Sequence, residues 1–118
     1  MIPVCKALTK DGWIIGHPYA WRGNYFIEQS PSVYQVTNPE TISTSTGLKD
    51  FCYDEIFEGD ILCVDQEEGE VRWQQREGRW VVVFDDREVM PLAKIKRTAY
   101  IVCSKWDRAC DLSDASEN

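Results

Sequence analysis

Ile56-Phe57-Glu58-Gly59-Asp60-Ile61-Leu62-Cys63-Val64, then Glu70-Val71-Arg72-Trp73-Gln74 and Trp80-Val81-Val82-Val83-Phe84, decide the fold class. The first run is the strongest strand segment. Its apolar residues fall on both parities, which fits a strand covered on both faces. Gly59-Asp60 reads as a bend just ahead of its second half. Glu70–Gln74 alternates cleanly, with Val71 and Trp73 on one face. Arg76-Glu77-Gly78 is a short loop, and Trp80–Phe84 follows it. These two runs make the clearest hairpin in the chain.

Upstream of that region, Asp11-Gly12 is a turn signal and Trp13-Ile14-Ile15 is the first expected strand. Gly16 interrupts it, and His17-Pro18 biases the backbone towards extended or turn geometry. Arg22-Gly23-Asn24 is a second turn, leading into Tyr25-Phe26-Ile27. A turn at Gln29-Ser30-Pro31 separates this from Val33–Val36. Thr37 to Gly47 holds six Thr or Ser residues, and periodicity does not choose between strand and loop there. Downstream, Asp65 to Gly69 is acidic and turn-like, and Asp85-Asp86-Arg87-Glu88 is another turn. Pro91 restricts any strand around Val89 to an edge. Ala99–Cys103 is the last strand. Trp106 to Leu112 allows one or two helical turns, and residues 113–118 form a flexible acidic tail.

Many short strands with little helical periodicity predict an all-β chain. The expected architecture is a short-stranded sandwich or SH3-like barrel with at most one short C-terminal helix. Residues 1–112 read as a single domain, within which 56–104 has the length of a small SH3-like barrel.

Composition narrows the function. The chain has 118 residues, 43% of them hydrophobic and 28% charged, in the globular range. Five Trp, five Tyr and four Phe favour pleated, half-buried surfaces, and most of the tryptophans are expected in the core. The net charge of −7 opposes a general affinity for phosphate backbones. Lys94, Lys96 and Arg97 are the one close group of cations. Their ordinary reading is a solvated loop, and their functional reading is a local binding patch. Met1–Lys6 has no basic start followed by an apolar run, and no stretch approaches the roughly 18 apolar residues of a membrane span. A cytoplasmic location in a bacterial host, with reduced thiols, is expected. Cys5, Cys52, Cys63, Cys103 and Cys110 show no zinc-knuckle spacing, and Cys63 and Cys103 sit in apolar runs as small buried hydrophobes.

Ser45-Thr46-Gly47-Leu48-Lys49-Asp50 and Ile56-Phe57-Glu58-Gly59-Asp60-Ile61 resemble the paired signature of the YopX family. That signature is a Thr-Gly-Leu-x-Asp block, a spacer and an Ile-aromatic-Glu-Gly-Asp-Ile block, with matching spacing. Asp11–Gly16 is similar to the family's early Gly-x-Trp-Val-x-Gly strand, and Gly69-Glu70-Val71-x-Trp73 to its Gly-x-Val-x-aromatic strand. The likeness covers roughly residues 5 to 112. Two departures stand out. The spacer Phe51-Cys52-Tyr53-Asp54 lacks the family's glycine-containing turn, and the family's closing motif is eroded over 100–109. The resemblance implies a mostly β fold and a phage or prophage origin, and it carries over no catalytic residue, cofactor or metal.

The signature residues Gly47, Leu48, Asp50, Ile56, Glu58, Gly59 and Asp60 are expected to be structural. Gly47 and Gly59 supply positive φ at tight bends, and Asp50 and Asp60 hydrogen-bond the backbone there. A metal or acid–base role for the run Asp50, Asp54, Glu55, Glu58 and Asp60 fits no calcium-loop pattern. His17, the single histidine, has no orienting acid nearby in sequence. Trp21, with Arg22 beside it in a loop, is the best exposed interaction residue. The favoured function is a non-enzymatic binding or assembly module with a protein partner or its own copy. One alternative is a nucleic-acid-associated protein, either a binder through Lys94–Arg97 or an acidic mimic of DNA. Another is an enzyme whose site carries no recognisable motif.

Overall fold

The computed structural model describes residues 4–30, 33–85 and 88–107. The chain forms two compact units, Met1–Ser45 and Thr46–Asn118. It is mostly β, as expected, and its ladders are antiparallel.

The first unit contains β1 (Cys5–Thr9), β2 (Gly12–Trp21), β3 (Asn24–Ser30), β4 (Val33–Val36), a 3₁₀ turn at Pro39–Thr41 and the start of β5 (Ser43–Lys49). Its strand order is β4-β3-β2-β1-β5. β1 was not foreseen, and β2 runs through the expected interruption at Gly16 and His17-Pro18. β2 changes partner instead of breaking. Gly12–Gly16 pair with β1, and His17–Trp21 pair with β3. Gly16 marks the handover. A Cβ there would run into the main chain of Glu28 and lie 2.8 Å from Ile27 Cγ2. Pro18 is tolerated because it lies in the half of β2 that has left β1. The Arg22-Gly23 turn to β3 has positive φ at both residues, 49° and 81°, the handedness that suits a two-residue hairpin. The buried core is small: Cys5, Ala7 and Ile27, with Ile14 and Ile42 against it.

The undecided hydroxyl-rich segment resolves into the 3₁₀ turn and β5. Asn38 Oδ1 caps the turn by accepting from the Glu40 N–H at 3.1 Å. Thr41 Oγ1 accepts from the Leu8 N–H at 2.8 Å and donates to the Asn38 carbonyl at 2.7 Å. Such local side-chain bonds fix the backbone without any apolar period.

The second unit contains the end of β5, then β6 (Glu55–Phe57), β7 (Asp60–Val64), β8 (Glu67–Gln74), β9 (Arg79–Phe84), β10 (Val89–Pro91), α1 (Leu92–Ile95) and β11 (Tyr100–Ser104). β10-β9-β8-β7-β11 form one antiparallel sheet. The nine-residue run that opened the sequence reading is two strands, β6 and β7, parted by a bend at Glu58-Gly59. All five residues of β7 are buried, as the mixed parity implies. The β8–β9 hairpin has Val71 opposite Val82 and Trp73 opposite Trp80. The expected acidic turn over 65–69 is shorter: only Asp65 and Gln66 turn, with φ of 49° and 71°. Gly69 lies inside β8, where a Cβ would sit 2.5 Å from Val82 Cγ1. It is a packing glycine, not a turn glycine. Pro91 is on the edge strand β10. No ladder joins β10 to β11, so the barrel expected over 56–104 does not close.

The second core holds Ile56, Leu62, Val64, Val71, Val82, Phe84, Leu92, Ile95 and Ala99. The helix α1 was not foreseen. It buries Leu92 and Ile95, one turn apart, in this core. A helix from Trp106 was expected. Residues 105–107 are helical, and the rest of that stretch, Cys110 and the tail lie outside the described residues. The expectation that most tryptophans are core is corrected: none is fully buried. Mostly aliphatic side chains fill both cores, with Phe84 in the second. Cations cover three of the indoles: Lys6 on Trp13 at 4.8 Å, Arg22 on Trp21 at 5.4 Å and Lys105 on Trp106 at 5.1 Å. Among the described residues, no helix is long and apolar enough to cross a membrane.

Candidate functional site

Asp50 organises a cleft of the second unit. It is 6% exposed, and both carboxylate oxygens are engaged. Oδ1 accepts from the N–H groups of Cys52 and Asp54, each at 2.9 Å. Oδ2 accepts from the Ile101 N–H at 2.9 Å, across 51 residues of sequence. The Asp50 N–H donates to the Asp54 carbonyl at 2.9 Å, and the Phe51 N–H donates to the Ala99 carbonyl at 2.8 Å. The five-residue loop 50–54 is thereby closed on itself and pinned to the start of β11. The loop turns with Tyr53 at φ 64°. A left-handed conformation costs a residue with a Cβ about 1–2 kcal/mol.

The other signature residues also shape backbone. Gly47, at φ 77°, kinks β5. Thr46 Oγ1 spans the kink, accepting from the Leu48 N–H at 3.1 Å and donating to the Ile56 carbonyl at 2.8 Å. Leu48 and Ile56 pack in the core. Gly59, at φ 85°, forms the bend between β6 and β7, with half-buried Glu58 beside it. Asp60 is fully buried, and its Oδ2 accepts from the Phe57 N–H at 2.8 Å.

Gly47, Leu48, Lys49, Asp50, Phe51, Tyr53, Lys96 and Arg97 line a cleft of about 740 Å³. The turn after α1 supplies Lys96 and Arg97, β5 supplies Lys49, and the pinned loop supplies the two rings. Phe51 is 66% and Tyr53 82% exposed. Two members of the expected cationic group therefore reach the cleft, Lys94 does not line it, and Lys49 takes its place. The sequence signal for this site was weak. Lys49 and Lys96 lie 47 positions apart, and Phe51 and Tyr53 read as spacer. The one usable clue was two large aromatics within the four-residue spacer.

The second exposed feature lies on the first unit. Ile15, His17, Tyr19 and Trp21 follow one another on one face of β2, and all four are exposed. Trp21 ends the row at 57% exposure, with Arg22 stacked on it. His17 lies opposite Glu28 in the ladder. Elsewhere in the second unit, Glu67, Glu68, Asp85 and Glu88 line an acidic groove. Among the described residues, no group of three or more His, Cys, Asp or Glu side chains is placed to hold a metal. Cys5, Cys52, Cys63 and Cys103 carry thiols, not disulfides. Cys63 is buried, while Cys103 is only half-buried. The Cys63 side chain hydrogen-bonds Tyr100 opposite it in the β7–β11 ladder and raises the phenol pKa above its ordinary value.

The sequence model of the YopX protein family matches residues 19–104. That span includes both signature blocks, the pinned loop and the whole cleft. The chain belongs to the YopX family. The early Asp11–Gly16 block lies ahead of the matched span. No curated protein and no solved structure matches the chain.

Proposed function

We propose that this YopX chain is a non-enzymatic binding module of phage or prophage origin. It acts in the cytoplasm of a bacterial host and associates with its own copy or another protein through the outer face of β2. The row of large side chains on that strand carries the reading: Ile15 and Tyr19 are each 52% exposed and Trp21 is 57% exposed. Contiguous apolar surface of this kind marks interaction sites more often than isolated exposed residues do, and Trp and Tyr dominate interface energetics. The free-thiol chemistry of the described cysteines fits a reducing compartment. The non-enzymatic reading is supported by how the signature carboxylates are used. Asp50 has both oxygens bonded to backbone N–H groups, and Asp60 is sealed in the core.

Light scattering on the full chain, alone and after purification from its host, tests the proposal. The expected result is a mass above that of the monomer, or a stoichiometric protein partner. Either is lost in Trp21→Lys, with unchanged circular dichroism. A partner-free monomer, or an assembly indifferent to Trp21→Lys, would overturn it.

A further inference from the structure

The cleft beside the pinned loop brings three cations and two exposed aromatic rings to one place. Lys49, Lys96 and Arg97 converge on it in a chain of net charge −7. None of the three appears in an ion pair among the described residues. The one carboxylate in the lining, Asp50, is buried and already accepts three N–H bonds, so the open part of the cleft is cationic. Phe51 and Tyr53 stand out of it with most of their surface in water. Tyr53 does so at a backbone angle that glycine would adopt without strain. A bulky residue held in a left-handed conformation is uncommon, and such strain clusters at binding sites.

We propose that this cleft is a short binding site for single-stranded nucleic acid. Bases stack on Phe51 and Tyr53, and Lys49, Lys96 and Arg97 hold the flanking phosphates. Aromatic platforms with a few cations suit single strands, because every base offers a π-face to a ring. A duplex would keep its bases from the rings and bring a long polyanion against an acidic chain. An acidic peptide would use the cations and leave both rings idle. The volume of about 740 Å³ is within the range of ligand sites, so the footprint is a few nucleotides. This site is independent of the β2 face.

Fluorescence anisotropy of the full-length chain with a labelled oligothymidylate of about twelve nucleotides tests the inference. Binding is expected at low salt. The logarithm of affinity should fall against the logarithm of salt with a slope of about −2, as three neutralised phosphates on a single strand require. Lys96→Glu combined with Arg97→Glu should abolish binding. Arg76→Glu, which changes the charge of an exposed loop in the same unit, should leave most of it. Tyr53→Gly is the decisive variant. Removing the strained side chain should raise the melting temperature while weakening binding at least about fivefold, the loss expected for one stacked base. A misfolded variant could not show both effects. The inference is overturned if the wild type does not bind, if Tyr53→Gly binds as tightly as wild type, or if poly-glutamate competes as well as the oligonucleotide.

Discussion

The first unit buries Cys5, Ala7 and Ile27, whereas the second surrounds Leu62 and Val82 with seven more buried apolar residues. The first unit also leaves Ile15, Tyr19, Trp21 and Tyr25 in water. The second unit also exposes large side chains, Phe51 and Tyr53 most of all, but sets them over a larger buried core. Buried apolar cohesion is thus concentrated in the second unit, while both units present exposed rings. A small core suffices for a sheet that presents side chains, while a pinned cleft needs a rigid base beneath it.

Five variants test that comparison, from the largest expected effect to the smallest. Leu62→Ala should cost about 4 kcal/mol in urea unfolding, near the upper part of the range for buried leucine, because its dense surroundings cannot collapse into the space. Ile27→Ala should cost less, about 2–3 kcal/mol, since among the described residues its buried cluster holds only Cys5 and Ala7 besides itself. Equal losses would break the comparison. Gly16→Ala should cost about 2 kcal/mol by overpacking against β3. Amide exchange should show the loss in β1–β3 while β7–β9 stay protected. Uniform loss of protection would mean that the two units unfold as one.

Gln66→Gly should stabilise the β7–β8 hairpin by about 0.5–1 kcal/mol, because it relieves a left-handed side chain. A loss of stability would mean that the glutamine side chain contributes more than its backbone costs. Tyr100 tests the edge of the second sheet. Its hydrogen bond to Cys63 holds the phenol proton more tightly in the folded state than in the unfolded state. The associated stability is complete below the ordinary phenol pKa of 10.0 and is lost as pH rises through the folded value. Ultraviolet titration should find one tyrosine ionising above that value, returning towards it in Cys63→Val.

Much of this architecture was legible where one physical signal acted alone. Alternation at Glu70–Gln74, followed by the short loop and the apolar run Trp80–Phe84, gave the hairpin, and mixed parity over Ile56–Val64 gave the burial of β7 on both faces. Signals that stand for two causes misled. Gly16 reads as a break, but it is small because β3 presses on it. Gly69 reads as a turn, but it is small because Val82 fills the space. The aromatic load suggested buried indoles, yet long cationic stems shield several of them at the surface. The turn roles of Gly47, Gly59, Asp50 and Asp60 followed from residue chemistry. The cleft did not, because its cations come from two distant segments that only the pairing of β11 and the turn after α1 bring together.

The reach of Asp50 to Ile101 has a temporal side. During synthesis residue 50 leaves the ribosome well before residue 101, 51 positions later. Until then one oxygen of that carboxylate has no backbone donor, and the rings at 51 and 53 hang on an unfastened segment. Recognition at this corner is switched on only when β11 docks. A nascent or prematurely terminated chain lacking it would carry the aromatic residues but not the grip.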